Sequence, residues 1–547
     1  MGVSLVKNYN VEKEHYLTGG FNNLWKIYKG TPKNREGTAS VFVFYKRELD
    51  KLSSKEEKEE IINILKKEAQ ALLKFKHPGI LGVQEGLLED KSTLAFVSEY
   101  VPNNISSLLI KDEMSKLELK LLTIELLEVI KFLHEDAKVI HMNLNPDCIF
   151  VDERNKIKVS GFNFSIYDPS ISGSEIKTFS NNKYLSGYTY PYLNYSSPEG
   201  VLNNIVTYKS DIYSIGILLA NVLNKIYNSK NKQSSVYDRK IIDVSQTNIE
   251  SYKQYMNKEY NKKLNIYMNY LEQEDKDMLF NMLNQNNQEN RPNTNLLKRS
   301  NWLNDSKLSA LSFIDNLEGN EQQKNSVFLA NFPKIISQFD EKTIKIKILP
   351  KFLDVLKIEL FLPLVTPCII AIAENKDFNI DFQSKIWPNL KNLFKLKCLP
   401  AATLYLIITK IEFISDNISQ EEFNKEMMKI VNKCLDCNIS KIQNVVLNNI
   451  TVVIKKIDSQ VFKNEIYHRL ISILLDTKSL DLKINILKAI KSNLNLLDNS
   501  LINDNLLINL EKLRRSNGDL KITRWIIDTY KEASSIVNIE VRYTLYI

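Results

Sequence analysis

The pattern of apolar and polar residues changes near residue 305. Before this point, short apolar runs at residues 40–45 and 94–100 have the composition of β-strands. Residues 55–75 instead carry apolar side chains at helical spacing, and two longer helices are predicted further along. The first part of the chain is therefore predicted to combine strands and helices in an α+β fold.

After about residue 325 the strand signals end and amphipathic helices follow one another in pairs. Similar helices open at Ile348-Leu349-Pro350 and at Ile386-Trp387-Pro388, 38 residues later. Comparable apolar helix centres recur near Met427, Ile466 and Leu506, about 39–40 residues apart. Two helices in a period of about 40 residues are typical of HEAT and armadillo repeats. Such helix pairs bury their apolar faces by stacking on their neighbours, which predicts a solenoid.

Composition excludes several classes of protein. The 547 residues are 44% hydrophobic and 25% charged, which excludes a fibrous or wholly disordered chain. Five cysteines are too few for a disulfide scaffold and indicate a reducing compartment such as the cytosol. Cys434 and Cys437 form a CxxC pair without a second pair, so we expect no zinc site. The apolar run at residues 360–373 is too short to span a bilayer. The net charge of +8 is spread along the chain, so nucleic-acid binding is not expected.

A succession of short motifs runs through residues 1–303. It comprises Glu68, His77-Pro78-Gly79-Ile80, Glu99-Tyr100-Val101, Leu133-His134, residues 141–150, residues 157–163, Ser197-Pro198-Glu199, residues 211–216 and Arg291-Pro292. Their order and spacing resemble those of a protein kinase domain along its whole length. The resemblance is specific, because many separate features occur in kinase order at kinase spacing.

The resemblance fails at the positions that perform phosphoryl transfer. A kinase needs a lysine on its third strand, a catalytic Asp, an Asn that binds Mg²⁺ and the Asp of the DFG motif. By the resemblance, Phe42 stands at the lysine (or Phe44, if the register shifts by two), Asn143 at the catalytic Asp, Asn145 at the catalytic-loop lysine, Cys148 at the Mg²⁺-binding Asn, Gly161 at the DFG Asp and Asn163 at the DFG glycine. In the phosphate loop, Asn22 and Trp25 replace two glycines.

These replacements remove the groups on which phosphoryl transfer depends. An asparagine amide cannot accept a proton at neutral pH, and glycine and cysteine offer Mg²⁺ no hard oxygen ligand. Each such loss reduces the rate by about 10²–10³, and a phenylalanine at the lysine position makes the phosphate site apolar. We therefore expect that the protein is not an enzyme and has no catalytic residue, no metal and no cofactor, ATP included.

Five positions with structural roles in kinases are retained. By the resemblance, Glu199 and Arg291 form a buried ion pair, Asp211 binds the backbone of the catalytic loop, and His141 packs beneath that loop. Glu68 matches the glutamate that pairs with the missing lysine, so we expect it to be solvated or paired elsewhere. Breaking a buried ion pair from one side costs about 3–5 kcal/mol. We interpret the retained residues as maintaining the fold.

The SCY-like pseudokinases join a degenerate kinase domain to a HEAT solenoid, and the sequence resembles this family, which includes N-terminal kinase-like protein and coated-vesicle-associated kinase. Residues 40–46, 141–146 and 191–199 resemble its VFVF-type strand, its HGN-type loop and its P-x-L-N-Y-x-x-P-E segment. The resemblance implies an α+β bilobal protein-kinase-like domain followed by an all-α HEAT/armadillo-type solenoid. The predicted limits are an N-terminal segment at 1–14, the kinase-like domain at 15–303, a linker at 304–325 and the solenoid at 326–547.

The resemblance also implies a function. It predicts an inactive scaffold in clathrin- or COPI-type vesicle trafficking, cytoplasmic and peripheral at Golgi, endosomal or coated-vesicle membranes. Its partners would be coat or small-GTPase proteins bound along the solenoid. Family members often carry a tail with coat-binding motifs, and we expect none here, because the last predicted helix ends near residue 537.

Two alternatives stay open. The first is an atypical active kinase, in which Lys46 reaches the phosphates and Asp147 or Asp152 holds a metal. The second is a tRNA-export or RNA-associated adaptor, a role found in the wider family. ATP binding would favour the first alternative, and RNA binding that weakens steeply with salt would favour the second.

Overall fold

The computed structural model describes residues 6–536 except for 112–113, 170–173, 176–188, 232–240, 245–248, 285–287 and 397. The chain forms two compact units, Met1–Ser312 and Phe313–Ile547. The division between them falls within the predicted linker, 304–325, and β1 begins at Tyr9 inside the predicted N-terminal segment. The domain limits drawn from the sequence stay a prediction, and residues 1–5 and 537–547 lie outside the described part of the chain.

An antiparallel sheet forms one part of the first unit, with the strand order β1-β2-β3-β5-β4. The strands are β1 (Tyr9–Gly19), β2 (Trp25–Pro32), β3 (Ala39–Tyr45), β4 (Val83–Glu89) and β5 (Thr93–Glu99). Strand β3 lies between β2 and β5, and Phe42 is in register with Ile27 on one side and Phe96 on the other. Residues 39–44 are all buried, which suits a central strand rich in Val and Phe.

Helix α1 (Lys55–Lys74) packs against this sheet. Ser54 caps its first turn by accepting a hydrogen bond from the backbone N–H of Glu57. Apolar side chains at helical spacing, among them those of Ile61 and Leu65, face the interior together with the carboxyl group of Glu68. The helix therefore buries the ionisable side chain of Glu68 almost completely, and that of Glu57 in its first turn is also buried.

The rest of the first unit is mainly helical. Its helices are α2 (Ile105–Ile110), α3 (Lys116–Lys131), α4 (Pro198–Asn203), α5 (Tyr208–Asn231), α6 (Ile249–Lys258), α7 (Tyr260–Met268), α8 (Gln273–Met282), α9 (Thr294–Lys298) and α10 (Ser306–Asp315). Short antiparallel pairs join β6 (Asn103–Asn104) to β8 (Ile149–Val151), β8 to β9 (Ile157–Val159), β7 (Val139–Ile140) to β10 (Ile166–Tyr167), and β11 (Ser174–Glu175) to β12 (Ile205–Val206). The chain segments after β7 and β9 lie side by side, since the N–H of Ser160 donates to the carbonyl oxygen of Cys148 at 2.8 Å.

The second unit contains no strand within the described residues 313–396 and 398–536. Its helices are α11 (Gln322–Ile335), α12 (Glu341–Thr343), α13 (Leu349–Val355), α14 (Leu362–Glu374), α15 (Trp387–Leu393), α16 (Ala401–Thr409), α17 (Ile411–Asp416), α18 (Gln420–Glu422), α19 (Met428–Asp436), α20 (Ser440–Asn448), α21 (Ile450–Lys456), α22 (Ser459–Val461), α23 (His468–Asp476), α24 (Leu480–Lys491), α25 (Asn499–Leu501), α26 (Leu507–Ser516) and α27 (Leu520–Ile536).

These helices form two layers. In the first layer, α11, α14, α16, α20, α24 and α27 pack against one another in that order. In the second layer, α19, α23 and α26 pack in succession. The layers also pack on each other, through α13 with α14, α19 with α20, α23 with α24 and α26 with α27. This repeated pairing confirms the predicted all-α solenoid after an α+β unit.

One wide turn directly precedes each of α13, α15, α19, α23 and α26. The backbone makes i→i+5 hydrogen bonds at Ile344–Ile348, Phe382–Ile386, Phe423–Met427, Phe462–Tyr467 and Ile502–Leu506, so the wide turn recurs every 38 to 41 residues. Buried side chains follow a spacing of four, as at Phe462, Ile466 and Leu470. An α-helix turns once in 3.6 residues, so side chains spaced four apart drift around its surface. A wider turn offsets this drift and keeps the three side chains on one face of the helix. The sequence pattern showed the repeat but not this turn.

No single helix in the described part of the chain is both long and apolar enough to cross a bilayer. One pair of helices, Glu341–Val355 and Glu359–Glu374, is long and apolar enough only when the two are taken together. The two helices of this pair meet at an angle of 115°.

Candidate functional site: a filled cleft

The predicted degenerate positions and Glu68 meet in one cleft of the first unit, beneath the five-stranded sheet. Strand β3 contributes Phe42 and helix α1 contributes Glu68. The segment between β7 and β8 contributes residues 143–148, and the segment after β9 contributes residues 161–163. The residue at each predicted degenerate position is buried. The kinase role assigned to each position stays a prediction from the sequence.

Phe42 sits in an aromatic cluster at the top of the cleft. Its ring stacks on Phe96 with centroids 4.6 Å apart and meets the edge of Phe150 at 5.4 Å. Trp25 packs edge-on against Phe42 and against Phe44, the residue that the shifted register would place at the lysine position. Both phenylalanines are buried. In either register, an aromatic ring fills the position from which a lysine would reach a phosphate.

Glu68 accepts hydrogen bonds from three residues of the cleft. The donors are Trp25 Nε1 at 2.9 Å, the backbone N–H of Gly161 at 2.9 Å and Asn163 Nδ2 at 3.0 Å. Burial raises the pKa of Glu68, and these hydrogen bonds oppose the rise. All three donors come from positions at which the sequence departs from the kinase pattern. The carboxyl group is therefore paired elsewhere, one of the two outcomes that the sequence predicted.

Gly161 leaves no room for a larger residue. Its φ of 84° lies in the left-handed region, where side chains are strained. A Cβ atom added here would lie 2.5 Å from the Sγ atom of Cys148 and 2.8 Å from its Cβ atom. An aspartate at this position would also approach Glu68, to which Gly161 donates its N–H. The local backbone conformation and packing therefore require a glycine at position 161.

The side chains of the β7–β8 segment bond to one another. Asn145 Nδ2 lies 3.0 Å from the Oδ1 atom of Asn143 and 3.2 Å from the Sγ atom of Cys148. Asn143 Nδ2 in turn approaches the carbonyl oxygen of Gly161 at 3.4 Å. Burial raises the pKa of the Cys148 thiol well above its ordinary value, which keeps it protonated. A neutral thiol and two amides in mutual contact form a structural network with no base and no anionic ligand.

The loop between β1 and β2 closes onto the floor of the cleft. The backbone N–H of Gly20 donates a hydrogen bond of 2.8 Å to the carbonyl oxygen of Asp147. A Cβ atom at Gly19 would lie 2.7 Å from the ring of Phe150, so this glycine and the ring are in direct contact. The loop is therefore held to the cleft by a backbone hydrogen bond and by the contact of Gly19 with Phe150.

The segment between β5 and β6, which connects the sheet to the helical part, is also hydrogen-bonded to the sheet. Ser40 Oγ accepts a hydrogen bond of 2.9 Å from the N–H of Val101, and the hydroxyl of Tyr16 donates to the carbonyl oxygen of Val101 at 2.8 Å. Tyr16 and Ser40 also bond to each other at 2.6 Å, and burial raises the pKa of Tyr16. Sequence analysis missed this triad, because its members lie on β1, on β3 and in the connecting segment, and no motif links them.

The comparisons with known proteins identify a domain family and several relatives. Residues 35–303 match the protein kinase domain family. SCY1-like protein 2 of Homo sapiens is 26% identical over 542 residues, which cover 94% of this chain and 55% of that protein. The protein kinase-like protein SCY1 of Saccharomyces cerevisiae is 24% identical over 509 residues, which cover 84% of this chain and 61% of that protein. Together, the kinase-domain match and these relatives support the SCY1-like family.

The SCY1-like relatives match across both units of the chain. The protein kinase domain-containing protein ppk32 of Schizosaccharomyces pombe is 23% identical over 561 residues, which cover 97% of this chain and 71% of that protein. The chain spans about half the length of the human and mouse SCY1-like protein 2 sequences. These matches confirm the family that the motifs predicted.

The buried ion pair predicted by the resemblance is present in this SCY1-like protein. Arg291 donates to both carboxylate oxygens of Glu199, at 2.7 and 2.9 Å, and its guanidinium lies over the ring of Tyr213. Burial acts to raise the pKa of Glu199, but the hydrogen bonds and charge of Arg291 outweigh it and hold the pKa below its ordinary value. The pair joins α4 to the segment after α8.

Asp211 and His141 organise the segment after β7. The carboxylate of Asp211 accepts hydrogen bonds from the backbone N–H groups of His141 and Met142, at 2.8 and 2.9 Å, and contacts His134 Nε2 at 2.8 Å. Burial lowers the pKa of His141 to about 4, so its ring is neutral and bonds the carbonyl oxygen of Ser160 through Nε2. These contacts hold the floor of the cleft in the SCY1-like fold.

Proposed function

We propose that this protein is a catalytically inactive, kinase-like scaffold. The observation that carries the proposal is the carboxyl group of Glu68, which accepts hydrogen bonds from Trp25, Gly161 and Asn163 instead of facing a lysine. Each donor residue occupies a position at which a kinase has a glycine or an aspartate that serves nucleotide binding. The groups that would orient ATP and Mg²⁺ are thus replaced by a network that holds the cleft together.

The side of the cleft at which a kinase binds the adenine base also supports this proposal. A purine that enters an apolar cleft needs free hydrogen-bonding groups, because an unpaired buried polar group costs about 1–3 kcal/mol. The N–H and C=O groups of Val101 are already bonded to Ser40 and Tyr16. A bound base would have to break both bonds.

The alternative of an atypical active kinase is disfavoured by the positions of two of its three candidate residues. Lys46 forms an ion pair with Glu89 at 2.9 Å and donates to the carbonyl oxygen of Asp90 at 2.7 Å. Asp152 accepts the N–H groups of Arg154 and Lys156, at 2.9 and 2.8 Å, in the turn between β8 and β9. Neither side chain is placed to replace a missing catalytic group.

The cellular role that we propose follows from the family resemblance. In this role the protein is cytoplasmic, associates with Golgi, endosomal or coated-vesicle membranes, and binds coat or small-GTPase proteins along its solenoid. Two packed layers of helices offer a long surface for such partners, as in other solenoids.

A thermal-shift titration with ATP and Mg²⁺ tests the proposed inactivity. A ligand at 100 times its Kd stabilises a protein by about 2.7 kcal/mol, which raises the Tm by about 4 °C for a unit of this size. We expect no shift, while an active kinase domain assayed in parallel shifts. A parallel transfer assay with Mg²⁺ or Mn²⁺ should detect no phosphorylation. Turnover that is lost in the Asn143→Ala or Asp147→Ala variant would overturn the proposal.

A further inference from the structure

The helix pairs of the second unit expose an apolar residue at each connection between their layers. We call these residues the edge row: Leu360, Leu396, Ile439, Leu480 and Leu520. Each lies in the connection that leads from a second-layer helix to the next first-layer helix, or in the first residue of that helix. Their exposed fractions run from 41% for Leu396 and Ile439 to 86% for Leu520.

The connections that carry the edge row lie along one side of the second unit. Helices α14, α16, α20, α24 and α27 pack side by side in that order, and each is entered through one of these connections. Packed helices are separated by 8–10 Å. The edge row therefore presents one apolar contact about every 8–10 Å along the solenoid.

Single exposed apolar residues are common on protein surfaces and need no explanation. The edge row differs because the exposure recurs at the same place in successive repeats. The stability of the repeats does not require this exposure, since the core of each repeat is formed by other, buried side chains, such as those of Phe462, Ile466 and Leu470. A repeated exposed contact is what an extended binding partner would use.

A polar cavity of about 350 Å³ opens beside Ile439, between the ends of α19 and α23. Asp436 and Asp476 line it, and the C-terminal ends of both helices add partial negative charge. Arg469 bonds Asp436 through Nε at 3.1 Å, and Asp476 accepts a hydrogen bond from Ser472 at 3.3 Å. Ser440 and Gln443 from the first turn of α20 also line the cavity and add partial positive charge. Two carboxylates and two helix C-termini outweigh this turn and the one guanidinium, so the cavity is complementary to a cation.

We propose that the edge row and this cavity bind an extended segment of a partner protein. The segment has an apolar residue at every third position and a lysine or arginine between two of them. A polyproline II helix rises 3.1 Å per residue, so its every third residue advances about 9.3 Å, which matches the spacing of packed helices. The basic side chain enters the cavity between Asp436 and Asp476 while its apolar neighbours cover Ile439 and Leu480.

This inference rests on the proposed scaffold role, but it can fail independently. The edge row belongs to the second unit, whereas the phosphoryl-transfer assay reports on the cleft of the first unit. A protein that binds the segment and also phosphorylates substrates would overturn the scaffold proposal alone.

The test is selection from a random library of peptides of about 16 residues, long enough for the five contacts at this rise, displayed on phage and panned on the full chain. We expect the enriched peptides to share apolar residues three apart with one basic residue between them. The Kd of a labelled enriched peptide, measured by fluorescence anisotropy, should rise at least tenfold in Ile439→Asp and in Asp476→Lys. The control Ile508→Asp, a 49% exposed residue in the first turn of α26, should bind as the wild type does.

The variants are chosen to keep the fold, because each changes an exposed side chain. Unchanged circular dichroism and an unchanged Tm verify this for each one. Enriched peptides without the three-residue spacing, or equal Kd values for the wild type and both edge variants, would overturn the inference.

Discussion

Replacing Glu68 by alanine should destabilise the first unit more than any other single change in the cleft. The substitution leaves three donors, Trp25 Nε1, the Gly161 N–H and Asn163 Nδ2, without their acceptor in a buried site. Each orphaned buried donor costs about 1–3 kcal/mol. Partial relaxation and water entry reduce the sum, so we expect a loss of about 4 kcal/mol.

Native-state hydrogen exchange of the α1 amides measures this loss in the first unit alone. Since each 1.36 kcal/mol is a factor of ten, protection should fall by about a thousandfold. The matched control is Glu59→Ala on the same helix, where an exposed side chain lies 3.8 Å from Lys55. An exposed helical ion pair contributes only about 0.3–0.5 kcal/mol. A change of less than tenfold in Glu68→Ala would refute the view that the three donors depend on this carboxyl group.

The same residue gives a pH dependence with a defined sign. Burial raises the pKa of Glu68 above its ordinary value of 4.5, against the hydrogen bonds that it accepts. Stability linked to the protonated form is complete below pH 4.5 and is lost as the pH rises through the folded-state pKa. We therefore expect the stability of the wild type, relative to the uncharged Glu68→Gln variant, to fall as the pH rises from 4.5. A difference that is constant across this range would contradict the expectation.

Three further predictions concern other parts of the fold. Glu199→Ala leaves the buried guanidinium of Arg291 unpaired and should lower the free energy of unfolding, measured in urea, by about 3–5 kcal/mol. Because the pKa of Glu199 is held below 4.5, the wild type should also lose stability as the pH falls through this range, and the variant should not. Gly161→Ala should cost about 2–4 kcal/mol, from left-handed backbone strain and the clash with Cys148, and full stability in thermal unfolding would contradict that geometry. Asp340→Ala removes a helix N-cap in the second unit and should cost about 1 kcal/mol in the same assay; a loss above about 3 kcal/mol would point to a role beyond capping.

Much of the architecture could be predicted because it depends on local spacing. The motif order around His141 and Glu199 predicted the first unit, and the recurrence of apolar helix centres near Met427, Ile466 and Leu506 predicted the second. In the structure these residues fall at or near the ends of successive wide turns. The turns themselves were not predicted, because an i→i+5 bond differs from an i→i+4 bond by a single residue of spacing.

The contents of the cleft were harder to predict, because they depend on contacts between distant segments. The sequence indicated that Glu68 had lost its lysine, but the donors that replace it lie 43, 93 and 95 residues away. The bonds from Tyr16 and Val101 to Ser40 likewise join two strands and the connecting segment, which only the folded unit brings together. Side-chain exposure in the edge row also depends on how the repeats stack.

The occupied backbone groups of Val101 have a consequence for chemical biology. Compounds designed to imitate adenine must displace the hydroxyl groups of Ser40 and Tyr16 before they gain any hydrogen bond to the connecting segment. Such inhibitors should therefore show little affinity for this protein in selectivity panels. A cellular phenotype caused by them would need a different target, whereas chemical control of this protein would have to act on its exposed surfaces.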